Sequence, residues 1–596
     1  PHWQASILGT QRSCPTLDWQ QWSKHSWGFV RMSPTKSSLP SKGTSLRLGL
    51  RLGAAVAGYF TGTGGWGKAF SWMGYSHLGI GAYDGWRMNN QMKEQSTAAR
   101  QQGVEVNSTA SESALPILYG KNKVGLKMID IRQVDVSGYA TISVTGAICV
   151  ASGGGNATAE RGINAVEYVR FDEVTAIGTD STTPIFPPND GTNNPNTTGM
   201  YNSQWWNASS STWGTEFFLR YMMHNGSQTA VDYFLNNQHS ADPTVTAGGA
   251  WGTQTIGQGV AYATFWMYYK TDAITGEPTA YPNALPNITM IADGNRVPNV
   301  TDLTSAQAYS INPAKCIYDF MTSKTYGMGI PGFDIDTASF ETARAYCDES
   351  VTIVGASGTI TTLGDRYTCN GTLNSGEAPL ANLEKMLTSC NGRIVYENGK
   401  YSLKLRKDTS AETFELDETN IVGDLNFRRA GIDETCNSIT VDYIDLDQNF
   451  TPQTITWPYP DDANPYLVAD GGMLNEMSVE LPFTNNEYMA VLLAAQILLE
   501  TRTDITCILT AQREALKLTV GSVVKVTHST PDWDEKEMWV EAIAINGDGT
   551  VQIALKEYAD ATYVKPTFKT KVAKVANNLP GQYSSGSTEL PSEGPL

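Results

Sequence analysis

The sequence is poor in the usual marks of chemistry. Its six histidines (His2, His25, His77, His224, His239 and His528) form no HExxH and stand beside no cysteine cluster, which leaves the common zinc sites without support. The eight cysteines (Cys14, Cys149, Cys316, Cys347, Cys369, Cys390, Cys436 and Cys507) lie far apart with no CxxC, so buried free thiols are expected. There is no GxxxxGK[ST] phosphate loop and no GxSxG elbow. No run of about 18 apolar residues exists, so no ordinary transmembrane helix is expected. Charge is also scarce, at 17% of residues, and its balance is acidic, at −18. That balance argues against free-standing DNA binding through phosphate neutralisation.

Hydrophobic residues make up 41% of the 596, ample for real cores, and the length suggests about four domains. Plentiful Gly, Asn, Ser and Thr favour β-rich, turn-rich architecture. The charge is unevenly spread. Residues 1–52 carry seven Lys/Arg (Arg12, Lys24, Arg31, Lys36, Lys42, Arg47, Arg51) against Asp18, which leaves −24 for the rest. This opening segment reads as a disordered or non-native basic extension. Residues 53–110 read as a Gly/Ala-rich arm followed by a polar, partly helical stretch.

From residue 111 the pattern turns to strands. SALPILYGKNKVG (113–125) has an extended start broken at Pro116 and a turn at Gly120. ATISVTGAICV and VEYVRFDEV alternate and are rich in β-branched residues. Residues 178–255 read as a loop-rich insertion. Its Trp205, Trp206 and Trp213 suggest either a sugar platform or the plug of a thin core. GVAYATFWMYYK (259–270) is a long strand of alternating large and small side chains.

Helical period returns at 311–349. Asn312 and Pro313 suit an N-cap and first position, Ile317, Phe320 and Met321 form one face, and Gly327 is the expected stop. Asp336 caps a second helix lined by Phe340, Ala343 and Cys347. EAPLANLEKMLTSCNGRIVYENGKYSLKLR (377–406) predicts a helix with Leu380, Leu383, Leu387 and Cys390 on one face. Asn391-Gly392 stops it, with Gly tolerating positive φ, and a hairpin turns at Asn398-Gly399. Further on, Thr484 and Glu487 predict a capping box for an apolar, deeply buried helix, YMAVLLAAQILLETR. LKLTVGSVVKVTH, MWVEAIAI and VQIALKEY predict a meander turning at Asn546–Gly549. Residues 571–596 read as a flexible tail.

Candidate chemistry is thin. Asp445-Leu446-Asp447-Gln448-Asn449 imitates half a calcium loop, but Phe450 replaces the turn glycine and Thr456 the bidentate glutamate, so a solvated strand end is the reading. Asp334/Asp336 and Asp348/Glu349 suit helix ends. No catalytic, cofactor-binding or metal residue is assigned, no cofactor is expected, and the chain is read as a non-enzymatic scaffold. Nine Asn-x-Ser/Thr triplets are read as products of composition.

Several segments, in order, resemble the hub proteins at the tip of long-tailed bacteriophages, the tip attachment protein J family. They are SALPILYGKNKVG, FLRYMMHNGSQTAVDYFL (218–235), GVAYATFWMYYK, YSINPAKCIYDFMTSKTYGMGIP (309–331), ASFETARAYCDE (338–349), RYTCNG (366–371), the 377–406 helix–hairpin, LTVGSVVKVTH and LKEYADATY (555–563). The 309–331 segment is the most specific. The long C-terminal receptor-binding extension of many members is missing from this sequence, and the first 110 residues match poorly.

The resemblance implies a mainly β, multidomain chain with α+β parts and tube-like β-barrel hub domains. Residues 111–300 would be a first β-rich hub domain carrying the insertion, 301–408 an α+β hub domain, and 409–570 a β-rich hub domain with one buried helix. It further implies a virion protein of the tail tip: a homotrimer of pseudo-sixfold symmetry that closes the distal tail tube. Its partners would be tail-tube proteins, the tape-measure protein, tail fibre or receptor-binding proteins, and viral DNA in passage. The 53–86 stretch is a candidate contact for the tape measure or the host membrane. An acidic lumen would keep DNA phosphates from sticking. The competing reading is a secreted or surface carbohydrate-binding adhesin. A cell-wall hydrolase is a third class, and the missing Cys/His and zinc signatures argue against it.

Overall fold

A computed structural model describes residues 114–136, 139–151, 162–171, 174–177, 200–201, 206–207, 218–226, 257–268, 286–300, 307–354, 360–409, 411–431, 434–564, 566 and 568. The expectations for residues 1–110, 571–596 and most of the 178–255 insertion, with Trp205 and Trp213, lie outside these residues.

Two sheets built from the first strands face each other. One has the order Gly371–Asn374, Pro116–Tyr119, Tyr139–Val150, Val260–Tyr268, Phe218–His224, Met200–Tyr201, with Lys127–Val136 also beside Tyr139–Val150. The other has the order Lys121–Gly125, Ile288–Asn295, Ile163–Phe171, Val174–Ile177. Their inner faces meet through Leu118, Val144, Phe171, Phe265, Ile288 and Met290, and the Phe171 and Phe265 rings pack edge to face at 5.9 Å. Pro116 opens its strand instead of breaking it, since a first strand residue can lack an N–H.

The chain then builds helices α1 (Pro313–Thr322), α2 (Thr337–Cys347) and α3 (Pro379–Leu387), a hairpin of Gly392–Glu397 with Lys400–Leu405, a short α4 (Pro465–Ala469) and the long α5 (Glu487–Arg502). Alpha5 packs on the three-stranded sheet Thr451–Trp457, Ser438–Asp445, Glu476–Leu481. Ile317, Phe320, Phe340, Leu383, Met386, Ile439, Val441, Phe483 and Leu493 share one core, so the helices and this sheet pack as one body across residue 408. A last sheet has the order Glu415–Leu416, Val523–His528, Trp533–Ile545, Val551–Glu557, Ile505–Ala511, Asn426–Arg429, which contains the expected meander.

The architecture is mainly β with several sheets, as expected, but none of the described sheets closes into a barrel. The last sheet ends at a two-residue strand on one edge and at the exposed Asn426–Arg429 on the other, and neither edge meets the other.

Local details also differ from the sequence patterns. Alpha1 stops at Thr322, five residues before Gly327, with Ser323 extended at its cap. Alpha3 ends at Leu387 and continues as a 3-10 turn, and Asn391, not Gly392, adopts the left-handed conformation at φ 47°. Leu380 is exposed while Leu383 and Cys390 are buried, because a nine-residue helix lying at the core edge covers only part of its stripe. The Thr484–Glu487 capping box does not form. Asn486 is the N-cap, its side chain accepting from Tyr488 N at 2.8 Å, and the Thr484 hydroxyl is buried without a partner. The hairpin turn behaves as expected, with Asn398 and Gly399 at φ 52° and 79°.

Candidate functional site

The most specific sequence segment, Tyr309–Pro331, folds into a structural knot. The Asn312 side chain accepts from Ala314 N at 2.9 Å, so it caps α1 as predicted. Its amide also donates to Arg344 O (3.1 Å) and Asp348 Oδ1 (2.7 Å), which joins the start of α1 to the end of α2. Asp319, buried on α1, accepts the hydroxyls of Tyr326 and of Tyr119 on its Oδ2, each at 2.7 Å. Tyr119 comes from the PILYG strand, 200 residues earlier. Burial first, and then the Asp319 charge, raise both phenols well above their ordinary range, so they stay protonated donors.

Glycines let the backbone close around this knot. A Cβ on Gly327 would stand 1.8 Å from Phe320 O, at the end of α1. Gly120, next to Tyr119, has φ +62° and would place a Cβ 2.3 Å from Cys369 O. Two of the family-like segments therefore meet at one carboxylate, and RYTCNG touches them through Asn370, whose Oδ1 accepts from Lys121 N at 2.9 Å.

A second polar cluster ties the hairpin to the last sheet. Arg406 Nη2 donates to Glu541 Oε1 at 2.6 Å, and Arg393 donates to the other carboxylate oxygen. Burial would raise the Glu541 carboxyl, but Arg406 and Arg393 outweigh it and hold it at about 2. Lys556, whose burial lowers its pKa, donates to Glu500 O near the end of α5 at 2.8 Å.

These arrangements hold elements together, and nucleophile chemistry is weak among the described residues. All seven described cysteines are buried and free. Burial pushes the thiols of Cys149, Cys390 and Cys507 up to about 12, and those of Cys347 and Cys369 well above their ordinary value, so they stay unreactive. No group of three or more His, Cys, Asp or Glu suited to a metal occurs among the described residues. Asp445 caps a 3-10 turn by accepting from Asp447 N at 2.9 Å, and Asn449 takes the left-handed place after it, so the calcium-like segment is a turn after a strand. Asp336 caps α2, and Glu349 pairs with Arg366 at 2.7 Å. The Asp319–Tyr119 contact was not legible, because nothing local marks a partner at that separation.

Residues 378–539, the span from α3 into the last sheet, match the model of a family described as putative phage tail protein. Among solved structures, the chain is similar to one in the virion of a native gene transfer agent particle, with 13% identity, 78% of this chain and 89% of that chain covered, and a TM-score of 0.48. It is also similar to the 43 kDa tail protein of prophage MuSo2 from Shewanella oneidensis, with 13% identity, 70% and 99% covered, and a TM-score of 0.25. A tail protein from Neisseria meningitidis MC58 is similar at 9% identity, with 57% and 88% covered and a TM-score of 0.26. No curated protein matches. The span 378–539 is thus similar to phage tail proteins.

Proposed function

We propose that the protein is the central hub of a phage tail tip, akin to the tip attachment protein J family. It is a non-enzymatic homotrimeric ring that closes the distal tail tube and lines part of the DNA ejection channel. Tail-tube proteins and the tape-measure protein are its neighbours toward the tube, and fibre or receptor-binding proteins are its neighbours toward the host. The observation that carries this reading is the convergence at Asp319. Tyr119 and Tyr326, from two segments that resemble the family in order and spacing, bond the same carboxylate oxygen. The tail-protein match over residues 378–539 supports the same reading.

The test is the native mass of the purified full chain, joined to electron microscopy of tails with a labelled antibody. The expected result is a mass three times that of the 64.8 kDa chain, a ring with an axial hole, and label at the tail tip. A monomer at every concentration, with no label on tails, overturns the proposal.

A further inference from the structure

The segment between the strands Thr451–Trp457 and Glu476–Leu481 forms a firmly held apolar knuckle. Val468 on α4, and Met473 and Leu474 just after it, are 77%, 68% and 62% exposed. Three large apolar side chains this exposed within seven residues are not a chance scatter of surface hydrophobics. The backbone that carries them is fixed from below. Buried Asn437 donates to Asp470 Oδ2 (2.9 Å) and Met473 O (2.8 Å), and its Oδ1 accepts from Asn475 N at 2.9 Å. Asn464 caps α4 and donates to Asn437 O at 2.8 Å. Arg502, at the end of α5, grips Asp470 with two bonds of 2.9 and 3.0 Å. The bonds from Arg502 hold the Asp470 carboxyl below its ordinary range, so this clamp stays charged. These bonds tie the chain on both sides of the apolar tip to Asn437 and to the end of α5.

The chemistry around the tip selects its occupant. Residues 461–480 contain five carboxylates (Asp461, Asp462, Asp470, Glu476 and Glu480) and no Lys or Arg. Asp470 is taken up by Arg502 and Glu476 accepts from the Thr440 hydroxyl, while Asp461, Asp462, Glu476 and Glu480 are exposed in the segment that carries the tip. Nucleic acid and an anionic membrane surface are both repelled by such a segment. The same knuckle on a second copy, meeting it symmetrically, would bring its own carboxylates against these. We infer that the knuckle docks into an apolar socket rimmed by Lys or Arg on a different protein. The inference rests on the tail reading only for where that protein is found.

The experiment places a photo-crosslinking residue in the full chain, as Val468→p-benzoylphenylalanine, in the cells that make it. Mass spectrometry then identifies the linked peptide. The expected adduct is a peptide from another protein with Lys or Arg beside its apolar residues. The adduct should fall at least tenfold when Asp461, Asp462 and Glu476 are each changed to Lys in the same chain. A thermal melt of that triple variant should match the parent, which separates lost docking from lost folding. Absence of an adduct, an adduct to a second copy, to lipid or to nucleic acid, or one insensitive to the charge reversal, overturns the inference. If the expected adduct forms with a protein that does not co-purify with particles, the knuckle stands and the tail reading fails.

Discussion

Asp319 shows how much one side chain can depend on residues that sequence order hides. Its partner Tyr326 lies within the same segment, and the helix cap at Asn312 in that segment is readable from the Asn-Pro pair. The Tyr119 hydroxyl arrives from another sheet. Asp319→Ala leaves two buried phenols without an acceptor, at a cost of about 1–3 kcal/mol for each group left unsatisfied. A urea titration should show a lower midpoint; an unchanged one would mean that the carboxylate does not hold the knot. Gly327→Ala tests the same region by sterics. The new Cβ meets Phe320 O at 1.8 Å, whereas Gly547 has open space around it. Gly327→Ala should destabilise strongly and Gly547→Ala little, as read by melting temperature.

At the scale of elements, α5 was the clearest expectation. An apolar run with few charges can only be a buried helix, and residues Met489–Ala495 and Leu498 are buried. Its start was misread by two residues. A capping box needs the Thr484 N–H to await the glutamate, but that N–H already donates to Leu481 O at 3.1 Å. Asn486 supplies the cap. Asn486→Ala should therefore cost about 1 kcal/mol. Thr484→Val should be neutral or stabilising, since it removes a buried hydroxyl that has no partner. Chemical denaturation of both variants decides between the two caps; a loss confined to Thr484→Val would restore the capping box.

At the scale of the whole molecule, the Glu541 cluster couples the hairpin to the last sheet. Its carboxyl is held at about 2, below the ordinary 4.5. A depressed carboxyl contributes stability that is full above the unfolded value and is lost as pH falls through the folded one. The contribution should therefore fade between about pH 4.5 and about pH 2. Glu541→Gln should lower the melting temperature at neutral pH and flatten the acid dependence in that window. Parallel melting-temperature curves for parent and variant would show that Arg393 and Arg406 find no stabilisation there.

The sequence alone determined what rests on short-range rules. These are the helix caps at Asn312 and Asp336, the Asn398-Gly399 turn, the apolar character of α5 and the mainly β character, because each depends on the composition and spacing of neighbours along the chain. The tertiary structure decided what depends on distant partners. It set the open sheets, the meeting of Tyr119 with Asp319, the capture of Glu541 by two arginines and the exposed tip at Val468. Burial and pairing across hundreds of residues leave no local period in a sequence, so only the packed chain can reveal them.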